Sequence, residues 1–364
     1  MSKKNILFLI DELDEWRGTE THLYRLLKNI NTDTIHAHIA IIGASRISED
    51  FLDINVPVEV LNIYNIFSLK GIVGFFRLCK LIIHNDIDIV VSYHTASDLL
   101  APIACAFLRK KCISCRRDDG FTKKSIHKKI QRYLNYLVDG MISVSDAVKL
   151  AVNRDEFFQL NKNTVIWNGE DLLNFSPIGK NSRTSFSFSE QDFVLISVGG
   201  LVEVKNHKVL IQSVLNLLPD NPSMHLILVG QGHLLPDYKK MIHGFESNIH
   251  LLGYRSDISD LLRTADIYIQ PSLTEGFSNA IVQAMACSLP VIASDVGGNT
   301  ELVTDKCGYL ISPHDTDKLS SYILNLKNKP DLRKQFGENA RKLVTERCSI
   351  KHMCNQYEDY FSSL

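Results

Sequence analysis

The sequence predicts an α/β protein built from two parallel-sheet domains. Short runs rich in Val, Ile and Leu alternate along the whole chain with amphipathic helical segments such as 69–84 and 207–218. Because these strands are apolar throughout rather than alternately polar, helices are expected to cover both faces of each sheet. A length of 364 residues is enough to bury two hydrophobic cores.

Thirteen apolar runs are predicted to be strands, divided between the two domains by a polar break. The break covers 175–191, where Pro177, Gly179 and several Ser and Thr residues interrupt the apolar pattern, and it is predicted to be the linker. The predicted strands are 5–10, 35–42, 58–63, 87–92, 111–115, 141–144 and 164–167 before the break, and 193–198, 224–229, 249–252, 266–270, 291–293 and 308–311 after it. Ligands of paired parallel-sheet domains are expected in the cleft between the carboxyl edges of the two sheets.

Composition narrows the function classes. The 40 basic and 41 acidic residues give a net charge of −1, which disfavours a nucleic-acid partner. The first apolar run ends at Asp11 and Glu12 without a cleavage site, so it is predicted to be a strand rather than a signal peptide. The eight scattered cysteines are typical of reduced thiols, and a cytoplasmic location is expected.

Cys112 and Cys115 could form a redox pair or half of a zinc site. No second pair of metal ligands lies at a suitable spacing in the sequence, so ordinary strand cysteines are favoured.

Two common nucleotide-binding motifs do not fit the sequence. Gly230 and Gly232 follow an apolar run, but Leu235 stands where a dinucleotide fingerprint needs a third glycine. A phosphate-binding P-loop sequence does not occur either. The sequence therefore disfavours an NAD-dependent dehydrogenase and a P-loop enzyme.

The most informative segment is 271–301. It is predicted to contain a strand end, a glycine turn and a helix that begins near Ser278, with the carboxylate of Glu275 just before it. The first amides of a helix favour an anionic ligand. The alternative for Glu275 is an acid that interacts with the helix dipole.

This segment resembles the family-four retaining glycosyltransferases of the GT-B fold, and the resemblance extends over essentially the whole chain. The E-x7-E signature of that family aligns with Glu275 and Gln283. Further matches occur in the expected order at Val144-Ser145, Asn168-Gly169, Ser197-Val198-Gly199, Lys205, Leu252 to Asp257, and Pro271-Ser272. The resemblance implies two Rossmann-like domains that face each other across a cleft: an acceptor-binding domain at 1–175, a nucleotide-sugar-binding domain at 176–345, and a last helix at 346–364 that crosses back onto the first domain.

The resemblance also implies roles for individual residues. Glu275 would accept hydrogen bonds from the donor sugar, Lys205 would neutralise the diphosphate as it leaves, and His94 would orient the sugar and stabilise the transition state. Outside this motif context, Lys205 would be a solvated loop lysine and His94 a capping or packing residue. The implied donor-binding residues are Gly18, Gly199, Lys205, Arg255, Glu275, Gly276, Phe277, Ser278, Asn279 and Gln283.

Three positions depart from the family pattern. Gln283 stands where a second glutamate usually holds both ribose hydroxyls, and an amide offers only one acceptor oxygen besides its donor group. Gly200 stands where an arginine commonly contacts the diphosphate, and Arg17 stands where a glycine is common. Arg17 is a candidate for the cation that would replace the one missing at 200.

The segment 109–132 is strongly basic and is predicted to face an anionic acceptor or membrane. It contains ten Lys and Arg residues against Asp118 and Asp119. It also includes an S-x-R-R-D-x-G-F element that resembles one near the acceptor site of some of these transferases. The alternative is a solvated helix at 122–138. The residues assigned to this acceptor or membrane patch are Arg116, Arg117, Lys123, Lys124, Lys128 and Lys129.

The expected function is a retaining transfer of a hexose-type sugar from a UDP- or GDP-sugar to a glycan or lipid-linked acceptor. Polysaccharide, lipopolysaccharide or glycolipid biosynthesis is the expected setting, at the inner face of the cytoplasmic membrane. Because the cleft motifs contain no Asp-x-Asp pair, neither a metal nor another cofactor is expected. A non-catalytic nucleotide-sugar-binding or scaffold protein is the main alternative, and a GT-B epimerase or phosphorylase is another.

Overall fold

The chain folds into two compact units. The computed structural model describes residues 3–13, 18–43, 47, 51, 53–66, 68–120, 125–181 and 183–364. One unit contains Met1–Gly169 and Ile350–Leu364, and the other contains Glu170–Ser349. Each unit is described by itself below.

The first unit is built on a parallel sheet with helices on both faces. In its described residues, seven strands pair in the order β3-β2-β1-β4-β5-β6-β7. The strands are β1 (Lys4–Ile10), β2 (Ile35–Ile41), β3 (Val58–Val60), β4 (Ile89–Tyr93), β5 (Lys111–Arg116), β6 (Gly140–Ser143) and β7 (Asn163–Val165). The helices are α1 (Gly18–Asn29), α2 (Leu69–His84), α3 (His94–Leu108), α4 (Ser125–Leu134) and α5 (Asp146–Glu156).

The second unit repeats this architecture. Six strands in its described residues pair in parallel in the order β10-β9-β8-β11-β12-β13. The strands are β8 (Phe193–Val198), β9 (Met224–Val229), β10 (Ile249–Leu251), β11 (Ile267–Gln270), β12 (Val291–Ser294) and β13 (Gly308–Ile311). The helices are α6 (His207–Leu217), α7 (Leu235–Met241), α8 (Ile258–Thr264), α9 (Asn279–Ala286), α10 (Asn299–Leu302), α11 (Thr316–Asn328) and α12 (Pro330–Arg347). A final helix, α13 (Ile350–Ser362), lies in the first unit.

The C-terminal helix α13 completes the core of the first unit. Its buried face contains Met353, Tyr357 and Phe361 and belongs to the same apolar cluster as Phe8 of β1. The Phe361 and Phe8 rings lie edge to face with their centroids 6.3 Å apart. The side chain of Tyr357 bonds Nε2 of His22, on α1, at 3.1 Å. Helix α13 therefore covers one face of the first sheet.

The sequence predicted that the segment 175–191 is the linker, and this prediction was wrong. The segment packs within the second unit. Arg183 donates to Oδ2 of Asp266 at 2.9 Å, and Phe188 packs against the ring of His225 with a centroid distance of 4.5 Å. The two units instead meet in sequence at 169/170 and 349/350. The segment lacks apolar periodicity because its backbone is irregular, not because it connects two domains.

Candidate functional site

The candidate site of the second unit lies where β11 ends and α9 begins. Strand β11 runs through Gln270, and Ser278 caps α9 by accepting a hydrogen bond from the amide of Ile281 at 3.3 Å. Glu275 lies in the turn between them. The glycine pair at 297–298 allows close packing here, because a Cβ on Gly297 would lie 1.7 Å from the carbonyl oxygen of Glu275. The backbone of Gly297 has a φ of +49°, which also favours glycine.

Three donors converge on one oxygen of Glu275. Its Oε1 accepts from Lys205 Nζ at 2.5 Å, from Ser272 Oγ at 2.7 Å and from Gln270 Nε2 at 2.9 Å. The Glu275 side chain is 9% exposed, so its charge is held largely out of water and is satisfied by these bonds. Lys205 and Glu275, for which the family resemblance implies separate roles, are thus in direct contact.

A buried tyrosine orients one of those donors. The Tyr268 hydroxyl donates to Oε1 of Gln270 at 2.5 Å, which turns the amide nitrogen of Gln270 towards Glu275. Burial, followed by the nearby charge of Glu275, raises the pKa of Tyr268 far above its usual range. The hydroxyl therefore keeps its proton and remains a donor at neutral pH. Sequence analysis missed Gln270 and Tyr268, although both lie on a strand that it did predict.

Lys205 is held near the carboxyl end of β8 by a short 3-10 turn, Glu203–Lys205. Its side chain passes over Gly199, with Lys205 Cδ 3.6 Å from the position that a Cβ on Gly199 would occupy. A Cβ on Gly200 would meet only ordinary contacts, 3.6 Å from the Gln231 carbonyl oxygen. The fold therefore leaves room for a side chain at position 200, and the cation supplied from this loop is Lys205.

His207 lies directly behind this lysine and is buried. Burial, reinforced by the charge of Lys205, lowers the pKa of His207 to about 4. The imidazole is consequently neutral at physiological pH, and it adds no second cation beside Lys205.

Gln283 of α9 contacts a carboxylate from the start of the second unit. Its Nε2 donates to Oε2 of Glu170 at 2.8 Å. Glu170 is 2% exposed, and its backbone amide donates to the Cys348 carbonyl at 2.8 Å. Sequence analysis did not single out Glu170, because its partner Gln283 lies 113 positions away along the chain.

Arg255 is engaged with a neighbouring acid. It donates to both oxygens of Asp257, at 2.8 Å and 2.6 Å, and these hydrogen bonds hold the pKa of Asp257 below its usual range. The remaining donor-binding residues that the sequence predicted in this unit form the turn before α9 and its first residue. They are Gly276, Phe277, Ser278 and Asn279.

In the first unit, His94 begins α3 with a left-handed backbone, at a φ of +73°. Both oxygens of Asp11 accept helix amides, from Ala96 and from Ser97, each at 2.8 Å. This carboxylate, which directly follows β1, therefore satisfies two amides in the first turn of α3. The imidazole Nε2 of His94 lies 3.8 Å from Glu20 of α1.

His94 lines a small cavity together with Arg116 and Arg117 of the basic segment. The cavity has a volume of about 90 Å³ and lies within the first unit. Its lining residues are His94, Thr95, Asp98, Cys115, Arg116, Arg117 and Asp118. Gly18, at the start of α1, is exposed, and a Cβ there would meet no atom within 4 Å.

The predicted basic patch is not a continuous exposed surface. Arg116 is 4% exposed and forms ion pairs with Asp98 and Glu156, so its assignment to a surface patch was wrong. Arg117 is partly buried and donates to Asn168, and Lys128 pairs with Asp155 at 2.8 Å. Lys129 is exposed. Lys123, Lys124 and Arg17 lie outside the described residues.

Cys112 and Cys115 are free thiols buried on β5. Among the residues that the structure describes, no three His, Cys, Asp or Glu side chains converge as a metal site would require. Within the same residues, no helix is both long and apolar enough to span a bilayer.

The fold and the sequence both match known glycosyltransferases. HepE from Anabaena, solved in complex with UDP, superposes with a TM-score of 0.89 at 22% identity, over 99% of this chain and 100% of HepE. The lipopolysaccharide outer core galactosyltransferase WaaB superposes with a TM-score of 0.78 at 17% identity, over 99% and 100% of the two chains. The fold is therefore GT-B.

Residues 180–343 match the family described as Glycosyl transferases group 1. The UDP-Gal:alpha-D-GlcNAc-diphosphoundecaprenol alpha-1,3-galactosyltransferase of Escherichia coli is 25% identical over 86% of this chain and 85% of its own length. The capsular polysaccharide biosynthesis glycosyltransferase CapM of Staphylococcus aureus is 22% identical over 78% and 79% of the two chains. The second unit therefore resembles the group 1 glycosyltransferases, and the relatives named above match over most of the chain.

Proposed function

We propose that this glycosyltransferase is retaining and metal-independent, and that it moves a hexose-type sugar from a nucleoside diphosphate to a glycan or lipid-linked acceptor. The observation that supports this most directly is the pairing of Lys205 with Glu275 beside the N-terminus of α9. One group is a cation suited to a leaving diphosphate, and the other is an acceptor suited to sugar hydroxyls. The match of residues 180–343 to the group 1 glycosyltransferase family supports the same assignment.

In the proposed reaction, the bond between the anomeric carbon and the β-phosphate oxygen breaks while the acceptor oxygen attacks from the same face. The acceptor proton passes to the departing phosphate oxygen, so no covalent sugar–enzyme intermediate forms. Lys205 and the amides at the start of α9 stabilise the negative charge that builds up on the leaving group. Glu275 positions the sugar through hydrogen bonds to its hydroxyls. The role proposed for His94, which follows from the family resemblance, is to orient sugar hydroxyls and stabilise the transition state.

We propose further that the donor is a UDP-sugar and that the acceptor is lipid-linked. HepE has been solved with UDP-glucose, and the E. coli relative is named for UDP-galactose and a diphosphoundecaprenol-linked sugar. A lipid-linked acceptor would place this chain at the cytoplasmic face of a membrane. In the first unit, Arg117 lines the small cavity beside His94 and would supply a cation for an anionic acceptor.

The test is a turnover assay with UDP-, GDP- and ADP-sugars and a lipid extract, with and without a chelator. We expect transfer from one donor class, undiminished by the chelator, to a product whose anomeric configuration by NMR equals that of the donor. Inversion, loss of transfer with the chelator, or a stable sugar adduct on the protein would contradict the mechanism.

A non-catalytic nucleotide-sugar-binding protein is the second candidate, favoured by Gly200 and Gln283, which lack the charged groups common at these positions. It predicts that the nucleotide sugar binds without transfer to any acceptor in the panel. Transfer at any donor would exclude it.

A further inference from the structure

Helix α2 of the first unit has two apolar faces, one buried and one exposed. Gly71, Gly74, Leu78, Leu81 and Ile82 face the interior. The opposite face bears Leu69, 82% exposed, and Phe76, 60% exposed, together with Ile72, Val73 and Ile83. A surface helix of a soluble domain ordinarily has charged or polar residues on that side, so an apolar exposed face indicates a binding surface.

The same helix is basic and lacks acids. Lys70, Arg77 and Lys80 are exposed alongside the apolar side chains. The sequence contains no Asp or Glu anywhere from residue 61 to residue 85. An apolar face flanked by cations, without acidic residues, suits the interface of an anionic bilayer.

The neighbouring helix extends this surface. Helix α3 packs against α2, and its exposed side chains include Ile103 and Phe107. The ion pair between Lys110 and Asp86, at 3.7 Å, links the segments that follow the two helices. Residues 99–108 of α3 also lack Asp and Glu.

We propose that the exposed face of α2, formed by Leu69, Ile72, Val73, Phe76 and Ile83, docks on an anionic lipid bilayer. The apolar side chains enter the headgroup boundary, while Lys70, Arg77 and Lys80 contact lipid phosphates. The proposal rests on the proposed function in one respect, which is that a lipid-linked acceptor requires the enzyme to work at a membrane. In this proposal the membrane-facing surface is the exposed face of α2 and not the basic segment 109–132.

The experiment is sedimentation of the full chain with vesicles, without donor or acceptor. We expect binding to phosphatidylcholine vesicles that contain phosphatidylglycerol and much weaker binding to pure phosphatidylcholine. Replacing Ile72 and Phe76 together by Ser should weaken binding by about tenfold or more, because two exposed apolar side chains no longer enter the lipid. Arg77→Glu with Lys80→Glu should abolish the preference for the anionic vesicles.

Leu173→Ser is the matched control, since Leu173 is an exposed leucine of the second unit at 90% exposure, and it should bind as the wild type does. Equal unfolding midpoints would show that the variants fold. Binding by the Ile72/Phe76 variant at the wild-type level would overturn the proposal. So would a lipid-independent dimer, measured by light scattering, that this variant loses. Transfer to a detergent-dispersed acceptor tests the proposed function separately.

A second inference follows from the contact between Gln283 and Glu170 in the second unit. An ionised carboxylate only accepts hydrogen bonds, so the amide at 283 must turn its NH₂ group towards Glu170. The observed bond from Nε2 of Gln283 to Oε2 of Glu170, at 2.8 Å, has this direction. The carbonyl oxygen of Gln283 is thereby fixed as the group left for a ligand.

We infer that Glu170 is a positioning residue that fixes Gln283 to accept a hydrogen bond from a donor ribose hydroxyl. The negative charge that other members of the resembled family have at position 283 is here supplied at position 170. This inference rests on the proposed function, because it assumes a nucleotide donor. It predicts that restoring a glutamate at 283 alone does harm, since it would place two carboxylates within hydrogen-bonding distance.

The test uses Glu170→Gln, Gln283→Glu and the double variant, titrated with UDP and with GDP. Gln283→Glu should weaken nucleotide binding about tenfold and lower stability at neutral pH, and the double variant should restore both, because the amide at 170 then donates to the carboxylate at 283. Glu170→Gln alone should raise the donor KM several-fold with little change in kcat.

Tighter nucleotide binding by Gln283→Glu than by the wild type would overturn the inference, as would additive effects in the double variant. If the wild-type chain binds neither UDP nor GDP, the proposed function fails. The coupling in unfolding free energy then decides whether 170 and 283 interact.

Discussion

At the scale of single residues, the site depends on a charge pair that the sequence could not reveal. Lys205 and Glu275 are 70 positions apart and belong to different motifs, yet Nζ and Oε1 lie 2.5 Å apart. The carboxylate also holds Ser272 and Gln270, so it remains satisfied by hydrogen bonds when a ligand draws the lysine away. The pair can therefore separate on donor binding without leaving Glu275 unpaired.

Removing the cation should slow transfer far more than it weakens folding. Lys205→Met is expected to lower kcat/KM by about 100-fold or more, because the leaving diphosphate loses its counter-charge in the transition state. Initial rates of sugar transfer measure this. Lys208→Met, at an exposed lysine in the same region, is the control and should retain the wild-type rate. Equal loss in both variants would mean that charge in general, rather than Lys205, matters.

His207 should make the second unit acid-sensitive. Its pKa of about 4 in the folded state lies below the usual 6.5, so the unfolded chain binds more protons between these values and stability falls as the pH drops through this window. The expected loss from this group is about 2 kcal/mol between pH 7.5 and pH 5. Hydrogen exchange of the buried amides of β8 reports it.

His207→Phe should reduce that pH dependence, because the buried ring no longer titrates. His314→Gln, at an exposed histidine, should leave it unchanged. An unaltered pH slope in His207→Phe would show that other groups produce the acid sensitivity.

At the scale of secondary-structure elements, close backbone packing fixes the turn that carries Glu275. Gly297→Ala places a Cβ 1.7 Å from the Glu275 carbonyl oxygen, at a backbone φ of +49°. We expect about 3 kcal/mol or more of destabilisation and loss of transfer. Urea unfolding and transfer rates measure the two effects.

Gly253→Ala separates the contributions of strain and collision. Gly253 has a φ of +67°, but a Cβ there would meet nothing within 4 Å. This control should cost about 1 kcal/mol, the cost of the left-handed backbone by itself. Equal costs at 253 and 297 would contradict the packing argument.

The C-terminal helix is expected to be essential for the stability of the first unit. Phe361 is 1% exposed and contacts Phe8 on β1, so Phe361→Ala should destabilise that unit by about 3–5 kcal/mol. Tryptophan fluorescence follows this unit selectively, because both tryptophans of the sequence, Trp16 and Trp167, fall within residues 1–169. Lys351→Ala, at an exposed position of the same helix, should change little.

At the scale of the whole molecule, the sequence predicted the two parallel sheets well, because parallel strands with both faces covered are continuous apolar runs. The GT-B arrangement was implied by the family resemblance. The thirteen predicted strands are all present in the described residues, with ends displaced by a few positions. The prediction of a linker at 175–191 was wrong because an irregular segment lacks apolar periodicity both when it packs against a domain and when it does not. The segment does contain two aromatic residues, Phe186 and Phe188, which were the sequence signal that it packs against a domain.

The site was predictable where a motif carries it, and not where the fold brings distant residues together. Glu275, Lys205 and the start of α9 were found from their motifs. The burial of Arg116 could not be predicted, because this strand residue pairs with Asp98 and Glu156, which lie on two different helices. Glu170 was missed for the same reason, since its contact with Gln283 spans 113 positions.

The most direct test of the central claim is the transfer rate of Glu275→Gln with the donor that the wild type uses. The substitution keeps the size of the side chain and removes its charge, so the fold and nucleotide binding should survive while transfer falls by about 100-fold or more. Glu346→Gln, at an exposed position of α12, should transfer as the wild type does. Transfer by Glu275→Gln at the wild-type rate would contradict the assignment of this carboxylate to the reacting sugar.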